Sequence, residues 1–293
     1  MNSKSVFRSV NGLLFLGLLS ACSHLAYQPT RFNYLLKPEQ LDSIREVVTF
    51  KSTDGVELTG WYFKARHGKH KGSVVQFHGN GQNLTTHFML LAWVIDEGYD
   101  FFTFDYRGYG TSEGSPSQEG LNRDALAAID WIMHREAPEK DGKPDVILYG
   151  QSLGGAVLMR AFQDVGPSDR ARVKSLVIES SFYNYKKIAV DILSRSWISF
   201  LFQPLGYLVM SNAYSPEDAI PKIAPTPLLV IHGDRDSVIP LKFGKKIFEL
   251  AKEPKQFLLI PGGVHINAMF IRDGEYRKTL LSYLDDQTQK LFK

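Results

Sequence analysis

The sequence predicts an α/β fold: one mostly parallel β-sheet with helices on both faces, preceded by an antiparallel hairpin. Three observations carry this expectation. Residues 73–78 (SVVQFH) open a series of short, nearly continuous apolar runs, the pattern of strands buried on both faces. Amphipathic stretches separate those runs, as crossovers between parallel strands require. Ahead of them, Thr53-Asp54-Gly55 sits between alternating apolar residues, a strong hairpin signal. With 293 residues, the chain can bury one large core or two modest ones.

The N-terminus reads as a leader. Residues 1–21 combine a short basic start, an apolar stretch over 10–19 and small residues at the end. That stretch is too short for a membrane span of roughly 20 apolar residues and fits a secretory signal. Leu19-Ser20-Ala21-Cys22 resembles the bacterial lipobox, in which the signal is cut before cysteine and the thiol is lipidated. Ordinary cleavage after Ala21 would place bulky Leu19 where a small residue is preferred, whereas cleavage after Ser23 stays open. The resemblance implies an exported, membrane-anchored lipoprotein. Ser23, where an aspartate would signal retention, favours the outer membrane on its periplasmic side. Cys22 is the sole cysteine, so no intramolecular disulfide forms.

Residues 22–41 are irregular and polar with scattered aromatics, which suits a tether; residues 42–293 hold the folded domain. Its strands are expected at 46–50, 56–63, 73–78, 101–105, 145–149, 174–178, 227–232 and 256–260. Helices are expected at 86–97, 118–135, 153–163, 241–251 and 275–291. Residues 182–225 exceed what one crossover helix needs. Trp197, Phe200, Phe202, Tyr207 and Met210 concentrate there, so the segment reads as a small cap insertion over the carboxyl edge of the sheet, with a pair of core-packed helices as the alternative. The net charge of +3 includes Lys4 and Arg8 of the leader, so the remaining chain is close to neutral. Nothing in that balance suggests an electrostatic footprint for nucleic acid.

The chemistry centres on Gly150-Gln151-Ser152-Leu153-Gly154, followed by Gly155. It lies between an expected strand and an expected helix, the setting of a nucleophile elbow. Small residues on both sides let strand and helix approach, and the turn aims backbone N–H groups at the reacting oxygen. A serine nucleophile needs a base, and the base an orienting carboxylate. Of the histidines after Ser152, His232 closes a strand, while His265 lies in the glycine-containing loop Pro261-Gly262-Gly263-Val264-His265 past the last strand. His265 is the candidate base. Asp236, well round the loop after the seventh strand, is the preferred acid. Asp234 reads as a turn residue bonding its own backbone, and Glu179, closing the sixth strand, is a third option. For the oxyanion, one donor is the N–H of Leu153; the other is the N–H of Asn80 in His78-Gly79-Asn80-Gly81. A dinucleotide reading of these glycines fails, because Leu84 stands where the third glycine should be.

Together with the loop Asp105-Tyr106-Arg107-Gly108-Tyr109-Gly110-Thr111-Ser112, these residues resemble the α/β-hydrolase superfamily from Glu46 to Phe292. The nearest branch is the short-capped esterase and acyl-hydrolase group, often labelled serine-aminopeptidase-like, which includes depalmitoylating enzymes. The resemblance implies a Ser152, Asp236 and His265 triad with Asn80 and Leu153 as oxyanion donors, and assigns Asp105 and Arg107 structural roles. It implies a serine hydrolase that cleaves carboxylic esters or thioesters, small or lipid-borne, with neither metal nor organic cofactor. A peptidase using the same triad and a non-catalytic surface lipoprotein are the alternatives, since fold alone does not choose a substrate.

Overall fold

The computed structural model describes residues 27–35, 41, 43–68, 70–135, 145–195 and 210–289. Eight strands form one sheet: β1 (Arg45–Lys51), β2 (Glu57–Phe63), β3 (Gly72–Phe77), β4 (Tyr99–Phe104), β5 (Val146–Gln151), β6 (Val173–Glu179), β7 (Leu228–Gly233) and β8 (Lys255–Ile260). Their order is β1-β2-β4-β3-β5-β6-β7-β8. β1 and β2 are the expected antiparallel hairpin, β2 runs antiparallel to β4, and every pairing from β4 to β8 is parallel.

Successive side chains of a strand point to opposite faces, and both faces are covered. Val75, Phe102, Leu148 and Val230 join a core with helices α1 (Gln118–His134) and α2 (Leu153–Phe162). Val74, Phe101, Ile147 and Leu229 join a second core with Val94, Ile95 and, from the C-terminal helix, Leu280 and Leu284. The apolar runs read from sequence are therefore two-sided strands. The remaining long helices are α3 (Tyr185–Ser194), α4 (Leu241–Leu250) and α5 (Glu275–Gln289). No helix among the described residues is long and apolar enough to cross a membrane.

One expected helix is different. Residues 86–97 form no continuous α-helix: an α-turn, Leu84–His87, leads into 3₁₀ segments Phe88–Leu90 and Ala92–Glu97. Phe88, Leu91 and Val94 are all buried and recur every third residue. A three-residue turn keeps such a row on the sheet, and a 3.6-residue turn would rotate it away. Within 182–225, α3 is capped by Asn184, whose side chain accepts from the Lys187 N–H, and two 3₁₀ turns, Pro216–Asp218 and Ile220–Lys222, close the segment. Trp197, Phe200, Phe202 and Tyr207 lie outside the described residues, as does Cys22. Met210 is half-buried against the first core.

Candidate active site

β5 ends at Gln151 and α2 begins at Leu153, so Ser152 alone makes the turn, at φ 52° and ψ −119°. Such a conformation costs a non-glycine residue about 1–3 kcal/mol and persists only when the surroundings enforce it. The surroundings do. A Cβ on Gly150 would lie 2.6 Å from Gly155 Cα, one on Gly154 would collide with the Phe77 carbonyl, and one on Gly155 would lie 2.6 Å from Ser181 Oγ. The Ser152 N–H donates to the Glu179 carbonyl at 2.9 Å, and Ser181 Oγ donates to the Ser152 carbonyl at 2.7 Å.

Ser152 Oγ lies 3.0 Å from His265 Nε2, and His265 Nδ1 lies 2.9 Å from Asp236 Oδ2. The pattern is satisfied when Nδ1–H donates to Asp236 and Nε2 accepts from the serine hydroxyl. The Asp236 side chain is fully buried, and its Oδ1 accepts the N–H groups of Val238 and Ile239 at 2.9 and 2.8 Å. Burial alone would raise the carboxyl's pKa. The bond and charge of His265, the Ile239 N–H and the Ser180 hydroxyl outweigh it, so the pKa is lowered. Asp236 therefore stays ionised opposite the imidazole.

The other acid candidates go elsewhere. Glu179 is buried and does not meet His265. Its Oε2 accepts from Tyr149 Oη at 3.0 Å and Gln151 Nε2 at 2.8 Å, and its Oε1 accepts from the Ala268 N–H at 3.1 Å. Burial raises its pKa against those bonds. Asp234 does not bond its own backbone; its Oδ1 accepts from the Gly262 N–H at 2.7 Å, pinning the acid loop to the histidine loop. His232 is fully buried with Nε2 2.8 Å from the Ile239 carbonyl. Burial lowers its pKa and keeps it neutral. Asp105 accepts from the Leu84 N–H and faces His78, while Arg107 is paired with Asp54 and buried Asp124, so this loop is structural.

The loop after β3 crosses directly over the elbow: a Cβ on Gly79 would lie 3.4 Å from Ser152 Cβ. Asn80 follows Gly79 on this loop, and its side-chain Oδ1 accepts from Tyr109 Oη at 2.7 Å and the Gln28 N–H at 2.9 Å. Leu153, as the first residue of α2, has no carbonyl within the helix for its N–H to meet. Among the described residues no group of three or more His, Cys, Asp or Glu side chains is placed to hold a metal.

Sequence reasoning passed over Ser180 and Ser181. Ser180 Oγ accepts from the Ile266 N–H at 3.4 Å, and Ser181 holds the elbow carbonyl. Their signal was Glu179-Ser180-Ser181, three polar residues directly after the apolar run Leu176–Ile178.

Comparison with known proteins agrees with this architecture. The family model described as serine aminopeptidase, S33, matches residues 68–217. The uncharacterized protein YfhR of Escherichia coli K12 is 36% identical over 244 residues, covering 82% of this chain and 80% of the relative. A lysophosphatidylserine lipase, ABHD12, of Macaca fascicularis is 31% identical over 240 residues, covering 77% of this chain and 57% of the lipase. The Pyrococcus furiosus esterase Pf2001 superposes with a TM-score of 0.68 at 18% identity, over 89% of this chain and 97% of that one, a likeness of fold.

Proposed function

The chain belongs to the serine aminopeptidase S33 family of hydrolases with the α/β-hydrolase fold, and from that premise we propose that it cleaves carboxylic esters or thioesters through an acyl-enzyme on Ser152. The observation that carries this reading is the unbroken chain from Ser152 Oγ to His265 Nε2 at 3.0 Å and from His265 Nδ1 to Asp236 at 2.9 Å. Ser152 attacks the carbonyl carbon as Nε2 takes its proton. Asp236 holds the imidazolium, and the N–H groups of Asn80 and Leu153 receive the oxyanion. Collapse of the tetrahedral intermediate expels the alcohol or thiol, which takes the proton from His265. Water, activated by the same base, then releases the acid.

Ester rather than aminoacyl amide is favoured by the acidic side chains around the site. A carboxylate is a strong partner for a free α-ammonium group, and Asp236, Glu179 and Asp105 are committed to protein donors. Asp191 is paired with Arg195 and Lys242, and Glu217 with Lys187. The lipase among the relatives points the same way. Lipidation at Cys22, export and a membrane-borne acyl ester as substrate belong to the same proposal, resting on Leu19-Ser20-Ala21-Cys22.

Two measurements test it. A panel of acyl esters, thioesters and aminoacyl amides should rank the esters or thioesters first; faster amide cleavage overturns the substrate class. A fluorophosphonate should label the wild type and miss Ser152→Ala, whose turnover should fall by roughly four to six powers of ten. Equal labelling removes Ser152 from its role.

A further inference from the structure

Residues 27–35 fall in the stretch expected to be a tether, yet they are laced onto the two loops that flank the nucleophile. Tyr27 is only 3% exposed. On the loop after β3, Asn83 Nδ2 donates to the carbonyls of Thr30 and Phe32 at 3.0 and 2.8 Å, Thr85 Oγ1 accepts from the Tyr34 N–H at 3.2 Å, and Pro29 bridges to Gln82. On the loop after β4, the Gly110 N–H donates to the Thr30 carbonyl at 2.9 Å, and Arg31 donates to the Ser112 carbonyl at 3.3 Å.

The two sets of bonds converge on Asn80. Its Oδ1 accepts one hydrogen bond from the strap, the Gln28 N–H, and one from the second loop, Tyr109 Oη. Within this loop the Gly79 carbonyl meets His78 Nδ1 at 2.8 Å and the Gly81 carbonyl meets His87 Nε2 at 3.1 Å, while Asn80 is held through its side chain from outside the loop. It stands between Gly79 and Gly81, and Gly81 and Gln82 both take left-handed backbone angles, at φ 77° and 54°. The direction of the Asn80 N–H depends on the Gly79–Asn80 peptide, whose carbonyl end His78 holds, and on the Asn80 side chain, which Gln28 and Tyr109 hold.

We propose that residues 27–35 are a positioning strap for the oxyanion site: the Gln28 N–H and the Tyr109 hydroxyl fix the Asn80 side chain and thereby aim the Asn80 N–H at the oxyanion. This rests on the serine hydrolase reading above. Neither Gln28 nor Tyr109 is given contact with the substrate; both act through Asn80. An interaction realised only as negative charge develops on the carbonyl oxygen raises kcat and leaves ground-state binding alone. Removing an oxyanion donor outright costs about 10²–10³ in kcat, so misaiming one should cost about 10–100-fold.

The test uses the full chain with a soluble p-nitrophenyl ester and a trifluoromethyl ketone, whose serine adduct places an oxyanion in the same position. Gln28→Pro deletes the N–H, Gln28→Ala keeps it, and Tyr109→Phe deletes only the hydroxyl. For Gln28→Pro and Tyr109→Phe, kcat should fall by about 10–100-fold with KM within about twofold. The ketone should weaken by the same factor, Tm should hold, and Gln28→Ala should match the wild type. A strap that serves packing alone would move Tm and not the ratio of ketone affinity to KM. Wild-type kcat and ketone affinity in folded Gln28→Pro and Tyr109→Phe overturn the proposal; if the proline variant does not fold, Tyr109→Phe decides. Loss in Gln28→Ala equal to that in Gln28→Pro also overturns it, because the backbone N–H would then not be the agent. Failure of the underlying reading shows separately, as a wild type that neither turns over esters nor takes a fluorophosphonate on Ser152.

Discussion

Asp236 is held from both of its carboxylate oxygens: two backbone N–H groups take Oδ1 and His265 takes Oδ2. This makes Asp236→Asn a sharper experiment than removal of the side chain. An asparagine would turn its carbonyl oxygen to the N–H groups of Val238 and Ile239 and so present its NH₂ to His265. A donor facing Nδ1 enforces the tautomer with the proton on Nε2, which cannot accept from Ser152. The variant should fold, keep KM, and lose roughly 10³–10⁴ in kcat near neutral pH, as wrong-tautomer triads do. Steady-state kinetics beside a melting curve check this; a loss below tenfold would show that Asp236 is not the orienting acid. The same geometry explains why Glu179 is no substitute: Tyr149, Gln151 and the Ala268 N–H occupy its oxygens.

At the scale of the element, the loop after β3 and the turn that follows it carry a buried base outside the triad. His87 donates through Nε2 to the Gly81 carbonyl at 3.1 Å and stacks on His78 with ring centroids 5.1 Å apart. Burial, with the nearby imidazole of His78, lowers its pKa from 6.5 to about 3. The unfolded chain therefore binds a proton below pH 6.5 that the folded chain refuses until about pH 3. Stability is whole above that window and falls as pH drops through it, by about 1.4 kcal/mol per pH unit for one proton. His87→Gln keeps a donor for Gly81 and cannot titrate. Between pH 6 and 4, chemical denaturation should show a shallower acid limb in the variant than in the wild type, by about one proton's slope. Parallel limbs would mean that His87 protonates freely in the fold. The residues that shape this turn also mark where sequence reading succeeds and where it stops. The strands were legible because Val74, Val75, Ile147 and Leu148 must be apolar on both faces, and the elbow because its glycines admit close backbone approach. Ser152 and His265 followed from the order of motifs. The 3₁₀ path through Phe88, Leu91 and Val94 was hidden because a period of three resembles a helix over a short stretch. The binding of Gln28 to Asn80 was hidden because a single N–H reaching across 52 residues has no local signature.

The strap changes what a lipid on Cys22 would do to the molecule as a whole. Tyr27, buried, lies five positions after Cys22, at most about 18 Å of extended chain. Because Tyr27 and Gln28 dock beside Asn80, a lipid at Cys22 would hold the carboxyl edge of the sheet, with Ser152, close to the bilayer. That edge carries exposed Phe32, Tyr34, Val238 and Val264, apolar side chains whose insertion among headgroups would be favourable. A site tied so closely meets membrane-borne esters at an effective concentration set by the leash rather than by diffusion from bulk. Three forms at equal bulk concentration separate the contributions: the lipidated wild type, Cys22→Ser, and a lipidated chain with twenty Gly/Ser residues inserted before Tyr27, which adds about 25 Å of root-mean-square reach. All three should hydrolyse a soluble short-chain ester at one rate, since the strap and triad are intact in each. On vesicles containing a fluorogenic long-chain ester, the wild type should be fastest and Cys22→Ser slowest, with the inserted chain between them. Mass spectrometry of the mature N-terminus must show the acyl groups on Cys22 for the first and third forms. If the inserted chain matches the wild type on vesicles, the short leash confers no orientation, and membrane attachment alone explains the gain. If Cys22→Ser matches both, the anchor has no part in substrate access.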